Sequence, residues 1–147
     1  MTDRVTLLHT ADLHLDSPLR SLALRDEALR QAVETATRTA FSRLVDTALA
    51  EGDAALLIAG DLFDGASRSA RTAAFLAAET ERLHAAGIAV FLVWGNHDAE
   101  SRLSGLIDMP PNVHVFGPRG GSARLGERDV WVHGVSFARA HAPESLL

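Results

Sequence analysis

Three apolar runs each break off into a short polar loop, and this repetition constrains the fold of the chain more than any other feature. Val5-Thr6-Leu7-Leu8-His9 leads to Asp12-Leu13-His14, Ala54–Ala59 stops at Gly60-Asp61, and Ile88–Trp94 runs into Gly95-Asn96-His97-Asp98. The second and third runs carry no polar alternation, which is the pattern of strands covered on both faces of a parallel sheet. Between the first two, Leu22, Leu29, Val33, Ala36, Ala40, Leu44 and Ala48 recur at helical spacings. They predict one face of a long helix from about Ser21 to Ala50, closed by Gly52. A second helix is predicted from Ser69 to Ala86, with Gly87 at its end.

The first half therefore reads as βαβαβ, and the right-handed crossover rule sets its strands parallel. Beyond Pro110-Pro111 the segments shorten. Val113–Phe116, Ser122–Leu125 and Val130–Phe137 are joined by Gly-rich turns and read as hairpin strands. With no internal repeat or evident linker, residues 1–147 are assigned to a single α/β domain.

Composition narrows the chemistry. Apolar residues make up 47% and charged residues 22%, as in ordinary soluble domains. No run is long enough to span a bilayer and Met1-Thr2-Asp3-Arg4 does not begin a signal peptide, so no membrane partner and a cytoplasmic location are expected. The absence of cysteine excludes thiolate metal sites and cysteine nucleophiles. A net charge of -5 is not the basic footprint of a stand-alone nucleic-acid binder, although an enzyme can meet phosphates through bound cations.

The polar loops all follow strands of a predicted parallel sheet, and ligands of such sheets bind outside the carboxyl ends of their strands. If strand geometry continues through Asp12 and His14, their side chains share one side and can hold one ion together. Asp61 can bring a carboxylate from the neighbouring strand and Asn96 an amide oxygen. Oxygen ligands mixed with imidazole suit manganese, iron or zinc better than calcium or magnesium. A carboxylate bridging two ions about 3.5 to 4 Å apart is the arrangement of two-metal phosphoester hydrolysis. His97 is placed to protonate a leaving oxygen, and Asp98 to orient its ring, so these two form the candidate catalytic pair.

Asp64 reads as a loop brace, and Leu62, Phe63 and Trp94 as packing residues. His9, His84, His114 and His133 take core or surface roles, and the role of His141 is undecided. Arg25, Arg30, Arg38 and Arg43 read as solvated helix faces.

Each short motif has a bland alternative, Gly60-Asp61 as a simple turn above all. The tetrapeptide Gly95-Asn96-His97-Asp98 is the strongest of them, because its chance frequency is on the order of ~10⁻⁵ per position.

His9-Thr10-Ala11-Asp12-Leu13-His14-Leu15-Asp16-Ser17-Pro18-Leu19, Gly60-Asp61-Leu62-Phe63-Asp64 and Gly95-Asn96-His97-Asp98 resemble the first three motifs of calcineurin-like metallophosphoesterases. Within that superfamily they resemble SbcD-like DNA repair exonucleases. Leu15-Asp16-Ser17-Pro18 and Gly134-Val135-Ser136-Phe137 look closest to the YhaO-type branch.

The resemblance implies a four-layer α/β/β/α sandwich and two divalent metal ions, Mn2+ first and Fe2+ or Zn2+ as alternatives. It implies Asp12, His14 and Asp61 at one ion, Asp61 and Asn96 at the other, and His97 as catalytic histidine. DNA would be the substrate and an SbcC-like coiled-coil ATPase the partner. The family's further His and its Gly-His-x-His motif do not occur in this sequence. The chain is therefore expected to be the N-terminal portion of a longer enzyme, incomplete at its C-terminal side. Weak metal binding, little turnover, and self-association through uncovered sheet surface, as in a homodimer, are the expected consequences. Other readings are a phosphomonoesterase, a cyclic-nucleotide phosphodiesterase, or a catalytically silent module that binds the ATPase.

Overall fold

The structure is a computed structural model that describes residues 4–17, 27–52, 55–63, 69–100 and 107–141. Four strands, β1 (Leu7–Thr10), β2 (Ala55–Ala59), β3 (Ala89–Val93) and β4 (Val113–Phe116), form one parallel sheet in the order β1-β2-β3-β4. The register pairs His9 with Leu57, Leu57 with Phe91, and Phe91 with His114. The carboxyl ends of β1, β2 and β3 consequently line up along one edge, where the polar loops emerge.

Helices α1 (Glu27–Glu51) and α2 (Ala70–Ala85) connect the first three strands and cover one face of the sheet. Leu56, Ile58, Val90 and Leu92 point to that face and pack with Phe41, Val45, Ala48, Leu76 and Leu83. Burial of each such side chain contributes about 1.5–3 kcal/mol, so this layer supplies most of the driving force among the described residues.

The helix ends follow from local chemistry. The Ser69 hydroxyl accepts the Arg71 N–H at 3.2 Å and caps α2. At its far end Gly87 takes φ 72° while Gly87 N–H reaches the His84 carbonyl and Ile88 N–H the Leu83 carbonyl. Gly52, at φ 64°, closes α1 as expected.

The buried face of α1 is rotated from the predicted one. Phe41, Val45 and Ala48 are buried, whereas Leu29, Ala36 and Ala40 are exposed and Leu44 is half-buried. Alanine fits either side of a helix, and the one bulky aromatic of α1, Phe41, decides which side turns inward. Leu22, Arg25 and Asp64, with the predicted first turns of this helix, lie outside the described residues.

Arg38 is not a solvated side chain. It pairs with Asp16 and its guanidinium lies over the Phe75 ring, 5.2 Å from the centroid.

Val113–Phe116, expected as a hairpin strand, is instead the fourth parallel strand of the sheet. The hairpin is β5 (Gly121–Arg124) with β6 (Trp131–Gly134), antiparallel from Gly121↔Gly134 to Arg124↔Trp131. It supplies Ala123, Leu125, Val130 and Val132 to the second sheet face, against Ala55, Phe91 and Phe116.

The chain leaving β6 is stitched to the ends of β3 and β4. The buried Ser136 hydroxyl accepts the Trp94 N–H at 2.8 Å and donates to the Phe116 carbonyl. Phe137 N–H bonds the Trp94 carbonyl at 2.9 Å. Gly134 lies flat on Phe116, where a Cβ would stand 2.3 Å from the ring. Gly134→Ala is expected to lower stability by about 1–3 kcal/mol, the usual cost of overpacking. Urea unfolding monitored by tryptophan fluorescence measures that loss, and an unchanged midpoint would contradict the packing described.

Candidate metal centre

Strand geometry ends at Thr10, before the first polar residues of the site. Asp12, His14 and Asp16 take φ values of 52°, 42° and 58°, and Asp61 takes 51°, all in the left-handed region. The convergence of Asp12 and His14 thus does not come from the continued strand that their spacing predicts. It comes from a loop zipped to its neighbour. Asp12 N–H bonds the Gly60 carbonyl, His14 N–H the Asp61 carbonyl and Leu15 N–H the Leu62 carbonyl, at 3.1, 3.0 and 2.9 Å. Leu15 and Phe63 then pair as an isolated parallel bridge, and both are fully buried. Left-handed non-glycine residues cost about 1–3 kcal/mol each and persist where surrounding contacts over-determine them.

The result is one cluster. Asp12, His14 and Asp61 each present a donor atom, and the three atoms lie within 4.8 Å of one another. Ligands on opposite sides of an ion at bond lengths of about 2.1 Å are about 4.2 Å apart, so these donors need little movement to share a cation. Two carboxylates and an imidazole form a mixed oxygen and nitrogen set suited to a transition-metal ion.

The third loop arrives from β3. Gly95 is pressed against the Asp61 side of the site, where a Cβ would meet Asp61 Oδ1 at 2.1 Å and Asp61 N at 2.4 Å. Gly60, at φ 84°, has the Gly95 Cα 3.0 Å from its own notional Cβ. Only glycine lets these two backbones touch. Asn96 opens the short helix α3 (Asn96–Glu100) directly after this contact and is half-buried. His97 N–H donates to Asp61 Oδ1 at 3.1 Å, and the exposed His97 ring stands edge-on to His14 with centroids 5.2 Å apart.

Asp98 ties the backbones of two loops together. Its carboxylate is buried and accepts the backbone N–H groups of Phe63 at 2.7 Å, Gly95 at 2.8 Å and Leu62 at 3.1 Å. One side chain thereby locks the loop carrying Asp61 to the loop carrying Asn96 and His97. Burial raises the Asp98 carboxyl above its ordinary value, opposed by the N–H bonds from Phe63, Gly95 and Leu62.

A further brace went unread in the sequence. Asp16 accepts both arms of Arg38, at 2.6 and 2.5 Å, and the Thr72 hydroxyl at 2.5 Å. Burial works to raise the Asp16 carboxyl, but the Arg38 and Thr72 hydrogen bonds with the charges of Arg38 and Arg71 outweigh it and hold it below its ordinary value. A carboxylate in the last position before Ser17-Pro18, with an arginine on the following helix, was the available signal.

His9, His114 and His133 stand away from this cluster. His114 packs on Phe116, ring centroids 4.6 Å apart, and His133 Nδ1 lies 2.7 Å from the Ser122 hydroxyl. Leu62 and Phe63 are buried, with Trp94 stacked on Phe63, as packing residues should be.

Residues 5–145 match the family model described as calcineurin-like phosphoesterase. The chain belongs to that family. It is 39% identical over 116 residues to the uncharacterized metallophosphoesterase YhaO of Bacillus subtilis, an alignment covering 79% of this chain and 28% of the relative. The chain thus spans about a quarter of the length of that relative. A crystal structure of a dimetal phosphatase from Danio rerio aligns with TM-score 0.44 and 21% identity, over 66% of this chain and 31% of that one. The family binds divalent metals, and the Asp12, His14 and Asp61 cluster is the candidate place for them. Among the described residues no helix is long and apolar enough to cross a membrane.

Asp98→Asn tests the lock between the loops. The amide replaces one acceptor oxygen by a donor facing a backbone N–H, which is expected to cost about 2 kcal/mol. Chemical denaturation reads that loss, and wild-type stability in the variant would contradict the bracing role.

Proposed function

We propose that this chain belongs to a cytoplasmic, manganese-dependent DNA repair exonuclease subunit that hydrolyses phosphodiesters. The observation that carries the hydrolytic reading is the convergence of the Asp12, His14 and Asp61 donor atoms beside the His97 ring, inside a chain of the calcineurin-like phosphoesterase family. Asp12, His14 and Asp61 would hold one ion, and Asp61 with Asn96 the other. When bound, the ions supply Lewis acidity toward the phosphoryl oxygens and an activated water for in-line attack.

The protein's own groups do the rest. Asp61 would hold both ions through its carboxylate, one oxygen of which accepts the His97 N–H. The His97 imidazole is exposed next to His14 and can donate a proton to the leaving oxygen or stabilise charge on the phosphoryl group. Asp98 holds these loops in register through three backbone N–H groups.

The choice of DNA rests on the SbcD-like character of the first three motifs, with Leu15-Asp16-Ser17-Pro18 and Gly134-Val135-Ser136-Phe137 marking the branch. An SbcC-like coiled-coil ATPase as partner would supply the basic surface that a chain of net charge -5 lacks.

The test is manganese-dependent hydrolysis of a DNA end and of a small chromogenic phosphoester, by this chain and by a version extended with its downstream coding sequence. The extended form is expected to degrade DNA ends, to stop when the metal is chelated, and to lose about 10²–10⁴ in kcat in His97→Ala. Turnover of the small ester with DNA ends left intact would overturn the nuclease reading.

A further inference from the structure

Among the described residues two ion-pair clusters stitch α1 to α2, and one of them also grips the loop of Asp12 and His14. In the first, Arg82 of α2 reaches Asp46 of α1 and Glu79 of its own helix, at 2.5 and 2.7 Å, while Ser42 of α1 donates to Glu79 at 2.8 Å. All of its members belong to the two helices, and none belongs to a loop at the carboxyl edge of the sheet. In the second, the central carboxylate is Asp16, two residues beyond His14. Arg38 grips it from α1 and Thr72 from the first turn of α2, and the Asp16 N–H donates to the Thr37 hydroxyl at 3.1 Å.

The arrangement reaches back to the site within a few atoms. Ser17 N–H bonds the His14 carbonyl at 3.0 Å, and the fully buried Leu15 separates His14 from Asp16. Asp12, His14 and Asp16 all sit at left-handed φ, a conformation the loop holds only under external restraint. From the β2 side that restraint is the backbone zipper to Gly60, Asp61 and Leu62. From the helix side, among the described residues, it is Asp16.

Thr72 is fully buried, so its hydroxyl must be satisfied inside the fold, and Asp16 is the acceptor it has. The Arg38 fork is two-pronged and planar, which sets direction as well as distance. The same guanidinium also lies over the Phe75 ring.

We propose that Asp16 is a positioning residue for the metal centre, anchoring the loop of Asp12 and His14 to both helices through Arg38 and Thr72. Asp16 touches neither metal nor substrate; it holds the strained loop in the one shape that aims both ligands at Asp61. The inference rests on the metal-centre reading above. Mutation of groups that orient metal ligands typically lowers metal affinity by about 10–100-fold.

The experiment is Mn2+ titration by calorimetry, with electron paramagnetic resonance of free Mn2+ as a second readout, on the protein extended with its downstream coding sequence. Wild type, Asp16→Asn, Thr72→Val and Arg82→Ala are compared, with thermal stability measured in parallel. Asp16→Asn is expected to weaken Mn2+ binding by about 10-fold or more, and Thr72→Val in the same direction by less. Arg82→Ala breaks a comparable helix-to-helix pairing and is expected to keep wild-type Mn2+ affinity. Should Asp16→Asn fail to fold, Thr72→Val against Arg82→Ala carries the comparison.

Equal losses of affinity in Thr72→Val and Arg82→Ala would show a general stability effect and overturn the proposal. Wild-type affinity in both Asp16→Asn and Thr72→Val would also overturn it, leaving the metal centre intact. Absence of Mn2+ binding in the wild type would instead remove the metal-centre reading, and this proposal with it.

Discussion

The site depends on how closely two backbones approach at the carboxyl edge of the sheet. Gly95 lies where any side chain would strike Asp61, and Gly60 turns through a left-handed conformation to meet it. That contact brings the loop after β3 against the loop after β2. Asp98 then secures it, because one buried carboxylate accepts N–H groups from both loops. The parallel register of the sheet makes the approach feasible, since neighbouring strands end side by side. The candidate metal ligands are thus the last link of a chain that runs from apolar strand pairing through glycine contacts to carboxylates.

Around this core the fold divides its labour. The helix-covered face carries the large hydrophobic cluster, and its side chains tie the strands to α1 and α2. The other face carries a smaller cluster under the β5–β6 hairpin, with Leu7 and Trp131 exposed at 42% and 54%. Strain is concentrated at the edge between loops, where four charged or imidazole side chains sit at positive φ. Rigid surroundings and strained ligand loops are the combination expected of a site built before its ligand arrives.

Much of this was legible in the residues alone. Continuous apolar runs located β2 and β3 to within a residue, glycines marked the ends of α1 and α2, and the three polar loops were expected on one edge. The convergence of Asp12, His14 and Asp61 was legible too, though for a reason that needed correction: the loop is left-handed and zipped to its neighbour, not a continued strand. What stayed hidden depends on long-range partners. The alanines of α1 let its apolar spacing fit more than one face, and the burial of Phe41 decides between them. Val113–Phe116 has the length and neighbours of a hairpin strand, and only its pairing with β3 makes it parallel. Asp98 and Arg38 are polar residues with partners, Phe63 and Asp16, that lie 35 and 22 positions away, a distance at which spacing carries no information.

Anomalous diffraction from crystals grown with Mn2+ tests the central claim most directly. Data collected at the manganese absorption edge are predicted to place a peak between the Asp12, His14 and Asp61 side chains, with any second peak on the Asn96 side of Asp61. Ordered side chains there without an anomalous peak, or manganese bound only elsewhere, would contradict the account.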